Sequence, residues 1–137
     1  MKKIISLILC VLCLFISGCT DTTVEKGLWE AATYTESTEF GTGAKAVTVE
    51  VRAEDKAVTF TINTDKETLG DALLEHSLIS GEKGPYGLYV KTVNGITADY
   101  ETNKSYWSLS KDGGYMTTGV DSTEISDGES YELTYTK

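Results

Sequence analysis

An α+β fold is predicted by three features of the chain. Two neighbouring runs alternate apolar and polar residues with a period of two. One short amphipathic helical stretch follows them. Several strand-like runs, separated by glycine-bearing turns, complete the sequence. The order strand, strand, helix, then strands predicts one helix packed on a mixed or antiparallel sheet, with an additional β-hairpin. This is a β-grasp-like arrangement.

In the first run Val47, Val49 and Val51 alternate with Thr48, Glu50 and Arg52. In the second, Val58, Phe60 and Ile62 alternate with Thr59, Thr61 and Asn63. Glu54-Asp55-Lys56 between them is short and polar, so the two strands form a hairpin. Thr64-Asp65-Lys66-Glu67 has capping-box spacing, with Thr64 as N-cap. Leu69, Ala72 and Leu73 then make an apolar stripe at helical spacing, and the helix should end near His76. Gly70 weakens it by about 1 kcal/mol relative to Ala, which predicts close packing against a strand. Lys83 to Gly87 reads as a loop, and Leu88 to Val93 as a strand closed by the turn Asn94-Gly95, with Ile96 to Tyr100 pairing back. Tyr106 to Ser110 is a strand, and Asp112-Gly113-Gly114 turns into Tyr115-Met116. After a turn at Asp127-Gly128, Tyr131, Leu133 and Tyr135 alternate in the last strand.

Ahead of this domain, residues 1–18 read as a lipoprotein signal. Lys2 and Lys3 precede the apolar run Ile4 to Ile16, and Ile16-Ser17-Gly18-Cys19 has the form of a lipobox. The expectation is cleavage before Cys19, lipidation of Cys19, and an extracytoplasmic protein anchored by lipid to a bacterial cell membrane. Residues 19–45, rich in Thr, Glu and Gly, read as a flexible tether. Trp29, Tyr34 and Phe40 interrupt it, packing loosely or forming a short extra strand near residues 28–34. The folded domain is then 46–137, with no repeat and no second domain.

The 137-residue chain has a formal charge of −9. Loss of Lys2 and Lys3 would leave about −11. No Lys/Arg cluster is present, which argues against nucleic acid as a partner. Cys10, Cys13 and Cys19 all lie in the signal region, so no disulfide can form within one processed chain. Catalysis is not expected. His76 is a lone histidine, no Ser stands in a Gly-x-Ser-x-Gly context, and no thiol remains once Cys19 is acylated. No metal or cofactor site is expected either, since the acidic turns Glu54-Asp55 and Asp121-x-x-Glu124 lack the spacing of an EF-hand loop. The aromatic residues Tyr86, Tyr89, Tyr106, Trp107 and Tyr115 are more suggestive of binding, because Tyr and Trp combine large area with a polar handle. Tyr86 and Tyr115, in or beside glycine-rich turns, are expected to be exposed. Tyr131 and Tyr135 are expected in the core, and Trp107 fits either place.

Gly84-Pro85-Tyr86-Gly87-Leu88-Tyr89-Val90-Lys91-Thr92-Val93-Asn94-Gly95-Ile96, followed by Lys104-Ser105-Tyr106-Trp107-Ser108-Leu109-Ser110, resembles the C-terminal β-domain of the cobalamin carriers intrinsic factor and transcobalamin. The helix Thr68 to Leu74, Gly119-Val120 and the strand Tyr131 to Tyr135 fit the same pattern. The chain thus resembles a bacterial transcobalamin-like C-terminal domain. In the carriers this domain covers one face of a corrinoid. The resemblance therefore implies two ligand-binding stretches. The first is Pro85, Tyr86, Gly87, Leu88, Tyr89 and Val90. The second is Trp107, Ser108, Leu109 and Ser110, with the turn that carries Gly113, Gly114, Tyr115 and Met116. It also implies cobalamin or another corrinoid as the small-molecule ligand, delivered to a membrane transporter. The chain lacks the large helical domain of the carriers, so one ligand face would stay uncovered: binding would be weaker, would need a partner binding domain, or would concern another ligand. The alternative is a cell-surface protein- or glycan-binding adhesion module, since one fold serves many functions.

Overall fold

A computed structural model describes residues 27–137. The signal segment, Cys19 and the first part of the expected tether lie outside the described residues. Nine strands are described: β1 (Thr38–Phe40), β2 (Lys45–Ala53), β3 (Lys56–Thr64), β4 (Ile79–Gly84), β5 (Gly87–Val93), β6 (Ile96–Thr97), β7 (Tyr106–Lys111), β8 (Gly114–Tyr115) and β9 (Ser130–Thr136). Helix α1 spans Leu69–Glu75, α2 spans Tyr100–Asn103, and 3-10 turns lie at Leu28–Ala31 and Val120–Ser122.

The protein is a mixed α+β fold, mostly sheet. The larger sheet has the order β1-β3-β2-β9-β7-β8, and a second sheet has the order β4-β5-β6. β2 and β3 pair antiparallel, with Val49 opposite Phe60. β9 lies parallel to β2 on its other side, with Val51 opposite Leu133. The alternation read from the sequence is the burial pattern: Val47, Val49, Val51, Phe60, Ile62, Tyr131 and Leu133 are all at most 1% exposed. They form one core with Leu69, Ala72 and Leu73 of α1 and with Val93 and Ile96 of the small sheet.

Three expectations need correction. Helix α1 is capped by Thr68, whose hydroxyl accepts from Asp71 N at 3.2 Å. Thr64 cannot serve, because it is held extended in β3 opposite Lys45. Lys83 to Gly87 is not a loop: β4 runs to Gly84 and only Pro85-Tyr86 turns. β4 was hidden because its residues are exposed and do not alternate. A β-bulge also interrupts it at Ser80/Gly81, where a Cβ on Gly81 would lie 1.9 Å from the Tyr89 carbonyl oxygen. Finally, residues 27–45, expected within the tether, are packed on the domain. Trp29 is buried and its indole N–H donates to the Ala53 carbonyl at 2.8 Å. Tyr34 meets Phe40 and Phe60 edge-on, and β1 joins β3 in parallel.

Asn94 fastens this segment. The Asn94-Gly95 turn has φ of 51° and 81°, which Asn and Gly tolerate in a type I′ hairpin. The fully buried Asn94 side chain accepts from Tyr34 N at 2.8 Å and donates to Tyr34 O at 2.9 Å, while its own carbonyl accepts from Thr33 N. Asn94→Gly preserves the turn conformation but leaves the part-buried Tyr34 backbone groups without their partners. It should cost about 1–3 kcal/mol in urea unfolding. Trp29→Ala should cost about 3–5 kcal/mol, a loss that a residue in a free tether would not produce.

Candidate functional site

The three-stranded sheet and the larger sheet leave a groove where they face each other. β6 covers β5 only at Thr92 and Val93, and β8 covers β7 only at Ser110 and Lys111. Between the exposed edges lies a groove of about 190 Å³, walled by Leu88, Tyr89 and Val90 on one side and Trp107, Ser108 and Leu109 on the other. The segment from Tyr115 to Val120 closes its end, with Leu133 also in the lining. Met116 is held there by its N–H, which donates to the Leu109 carbonyl at 2.9 Å.

The fold brings together eight of the residues singled out from the sequence: Leu88, Tyr89, Val90, Trp107, Ser108, Leu109, Tyr115 and Met116. Six fall outside the groove lining. Pro85 and Tyr86 form the tip of the β4–β5 hairpin, where Tyr86 is 95% exposed. Gly87 follows them, and Ser110 and Gly114 pair across the β7–β8 hairpin with Tyr115 and Lys111. Gly113 borders a different, polar hollow with Thr48, Glu50 and Glu132. Thr117, Thr118, Gly119, Val120 and Leu133 line the groove without having been placed there from sequence. Of these, Gly119, Val120 and Leu133 carried a signal, as part of the family-like pattern, and Thr117 and Thr118 carried none.

Trp107 is both wall and core. It is only 8% exposed, its indole N–H donates to the Ile96 carbonyl at 3.2 Å, and Tyr135 packs edge-on against it. It therefore offers an edge to the groove rather than an open platform. The accessible aromatic surface comes from Tyr89 and Tyr115, 47% and 68% exposed.

Helix α1 positions the end wall. Leu69 N donates to Thr123 O at 2.8 Å and Ile125 N donates to Glu67 O at 2.9 Å, pinning the chain around the Val120–Ser122 turn. Gly70 permits this approach. A Cβ there would lie 3.0 Å from the Asp121 backbone, so the helix packs on a turn where the sequence predicted a strand. Asp121, behind the groove wall, accepts from Leu88 N at 2.9 Å.

A larger cleft of about 450 Å³ is lined by Leu28, Glu30, Ala31, Gly95, Ile96 and Thr97. It opens beside Gly27, the first described residue, and contains none of the sequence-derived site residues. Among the described residues no three or more His, Cys, Asp or Glu side chains gather as a metal site would need. His76 instead stacks on Phe40 beside Gly41. No helix among the described residues is long and apolar enough to cross a membrane.

Residues 66–137 match the family described as Domain of unknown function (DUF4430). The chain belongs to this family. A crystal structure of a candidate metal-binding protein from Ruminococcus gnavus ATCC 29149 is 37% identical to this DUF4430 chain, with a TM-score of 0.66. The match covers 69% of this chain and 98% of that one. Haptocorrin in complex with Cbi is 19% identical, with a TM-score of 0.58. That match covers 72% of this chain and 26% of haptocorrin, a likeness of fold. No curated protein matches the chain.

Where β7 ends beside the start of β9, Lys111 and the Tyr131 hydroxyl both hydrogen-bond Glu129. The Lys111 ammonium, then the Tyr131 hydroxyl, hold the Glu129 carboxyl down at about 2 from its ordinary 4.5. Burial, reinforced by Glu129, pushes the Tyr131 phenol up. A depressed carboxyl pKa stabilises the fold fully above 4.5, and that contribution is lost as pH falls from there toward 2. Glu129→Gln should therefore flatten the pH dependence of unfolding free energy in that window. Trp107→Ala should destabilise the fold by about 3–5 kcal/mol. Tyr115→Ala should stay within about 0.5 kcal/mol of wild type, by thermal or urea melts.

Proposed function

We propose that this DUF4430 chain is a lipid-anchored extracytoplasmic lipoprotein that captures a small ligand in the β5–β7 groove. Cobalamin or another corrinoid is the ligand this reading favours, with delivery to a transporter or to a second binding domain. The observation that carries it is the convergence of Leu88–Val90, Trp107–Leu109 and Tyr115–Met116 on one groove rimmed by exposed tyrosines. Aromatic rims suit a broad, flat, largely apolar ring. Haptocorrin, named in its complex with Cbi, shares this fold. The strand order β3-β2-β9-β7, with the middle pair parallel and one helix in the core, supports the β-grasp-like reading. A groove of about 190 Å³ is smaller than a typical small-molecule pocket and suits contact with one ligand face. The lipobox residues ending in Cys19 support the anchor.

A second reading, a protein- or glycan-binding adhesion module, draws on one observation. Tyr86 projects from a hairpin tip outside the groove.

Isothermal titration of the full chain in mild detergent with dicyanocobinamide separates the two. Tyr89→Ala and Tyr115→Ala should each weaken binding about five- to thirtyfold, and Tyr86→Ala should leave it unchanged. Absence of corrinoid binding, with glycan-array signal lost in Tyr86→Ala, would favour adhesion instead. Incorporation of labelled palmitate in cells, abolished by Cys19→Ala, is the expected result for the anchor.

A further inference from the structure

The tryptophan that walls the groove is held from behind. The Trp107 indole N–H donates to the Ile96 carbonyl at 3.2 Å, and Tyr135 packs edge-on against the ring. Ile96 belongs to β6, a strand of two residues that pairs with β5 at Thr92–Thr97 and Val93–Ile96. β6 is the edge of the small sheet, and among the described residues no further strand covers it. The position of the groove wall therefore depends on what else supports the β5–β6 turn.

That support is the N-terminal arm, residues 28–34. Thr33 N donates to Asn94 O at 2.9 Å and Tyr34 N to Asn94 Oδ1 at 2.8 Å, so consecutive arm amides end on one turn residue. Gly95 lies so close beneath the arm that a Cβ there would stand 2.4 Å from Ala31 O. Leu28 and Ala31 line the larger cleft together with Ile96 and Thr97. On its other side the arm is fixed to the large sheet, through the Trp29 indole on Ala53 O and the Tyr34 ring against Phe40 and Phe60. None of these arm residues lines the groove. Arm, turn and indole thus make one continuous series of contacts that meets the groove only at Trp107.

We propose that the docked arm is a positioning element of the β5–β7 groove. With the arm seated, the β5–β6 turn presents Ile96 O to the indole, and the edge of Trp107 stands in the wall opposite Leu88–Val90. With the arm released, Ile96 loses its outer support and the indole turns out of its place. Thr33 and Tyr34 are positioning residues that act through Asn94, Ile96 and Trp107, without touching the ligand. The coupling is reciprocal: a ligand resting on the Trp107 edge tightens the arm by the same factor as the arm tightens the ligand. Occupancy of the groove is thereby registered in the segment that leads back towards Cys19. This deepens the groove reading and rests on it for the identity of the ligand.

The test uses the full chain, ¹⁵N-labelled, in mild detergent. Trp29 and Trp107 are the two tryptophans, so two indole N–H signals report the arm and the groove wall separately. Thr33→Pro removes the N–H that bonds Asn94 O, and Ala32 already has the extended ψ of 136° that a following proline requires. It should shift the Trp107 indole signal and weaken dicyanocobinamide binding, by calorimetry, about fivefold or more. Tyr34→Ala should do the same more strongly. Thr64→Ala, which removes a buried hydroxyl at the opposite end of β3, should move neither, so general destabilisation does not produce the effect. Saturation with dicyanocobinamide should slow hydrogen exchange at the Thr33 and Tyr34 amides of the wild type. An unchanged Trp107 indole signal or an unchanged affinity in folded Thr33→Pro overturns the proposal, as does an equal loss in Thr64→Ala. If dicyanocobinamide does not bind the wild type, the corrinoid reading falls and the indole signal alone decides the coupling: a shift in Thr33→Pro but not in Thr64→Ala supports it, and no shift overturns it.

Discussion

The buried amide of Asn94 is the joint on which the molecule depends. It sits at the turn of the small sheet and grips the backbone of Tyr34, and Tyr34 in turn packs on Phe40 and Phe60 of the large sheet. Two sheets that share no strand are thereby held at a fixed separation. Hydrophobic burial supplies most of the driving force, but it is non-directional and would tolerate several relative placements. Paired hydrogen bonds from a buried amide to backbone are directional, and breaking them leaves that amide without partners in the interior.

The groove follows from that fixed separation. β5 and β7 each run past the short strand that covers them, so two edges face each other with the chain from Tyr115 to Val120 between them. Open edges invite pairing with other chains, and proteins blunt them with bulges, charges or coverage. Here the outer strand β4 carries the charged pair Glu82 and Lys83 and pairs irregularly with β5, where Lys91 is the extra residue, while the inner edges are partly shielded by the end wall. Helix α1 is short, yet it matters to the site, because its first turn pins the segment that carries Gly119 and Asp121.

Much of this was legible in the sequence. β2, β3 and β9 have one face buried, so their alternation reports burial directly, and Asn94-Gly95 announces its turn through the positive φ that both residues accept. β4 was not legible, because it is exposed and owes its pairing to β5 rather than to any apolar pattern of its own. The segment 27–45 looks like a linker because its composition is polar, but three aromatic side chains, Trp29, Tyr34 and Phe40, are enough to dock it. The site was half visible. Leu88 to Val90 and Trp107 to Leu109 meet at one groove, whereas Gly87, Ser110 and Gly114 at strand ends and Tyr86 and Gly113 at turn tips lie outside its lining, since a turn's direction depends on tertiary geometry. Asp121 looked like one more acidic turn residue, and only its contact with Leu88 sets it apart.

The place of β9 has a kinetic consequence. Ser130–Thr136 is inserted between β2 and β7, with parallel pairing on one side and antiparallel on the other. The large sheet therefore stays in two pieces until this strand is in place. Such non-local closure is slow, and the two parts keep apolar faces open to water until it is complete.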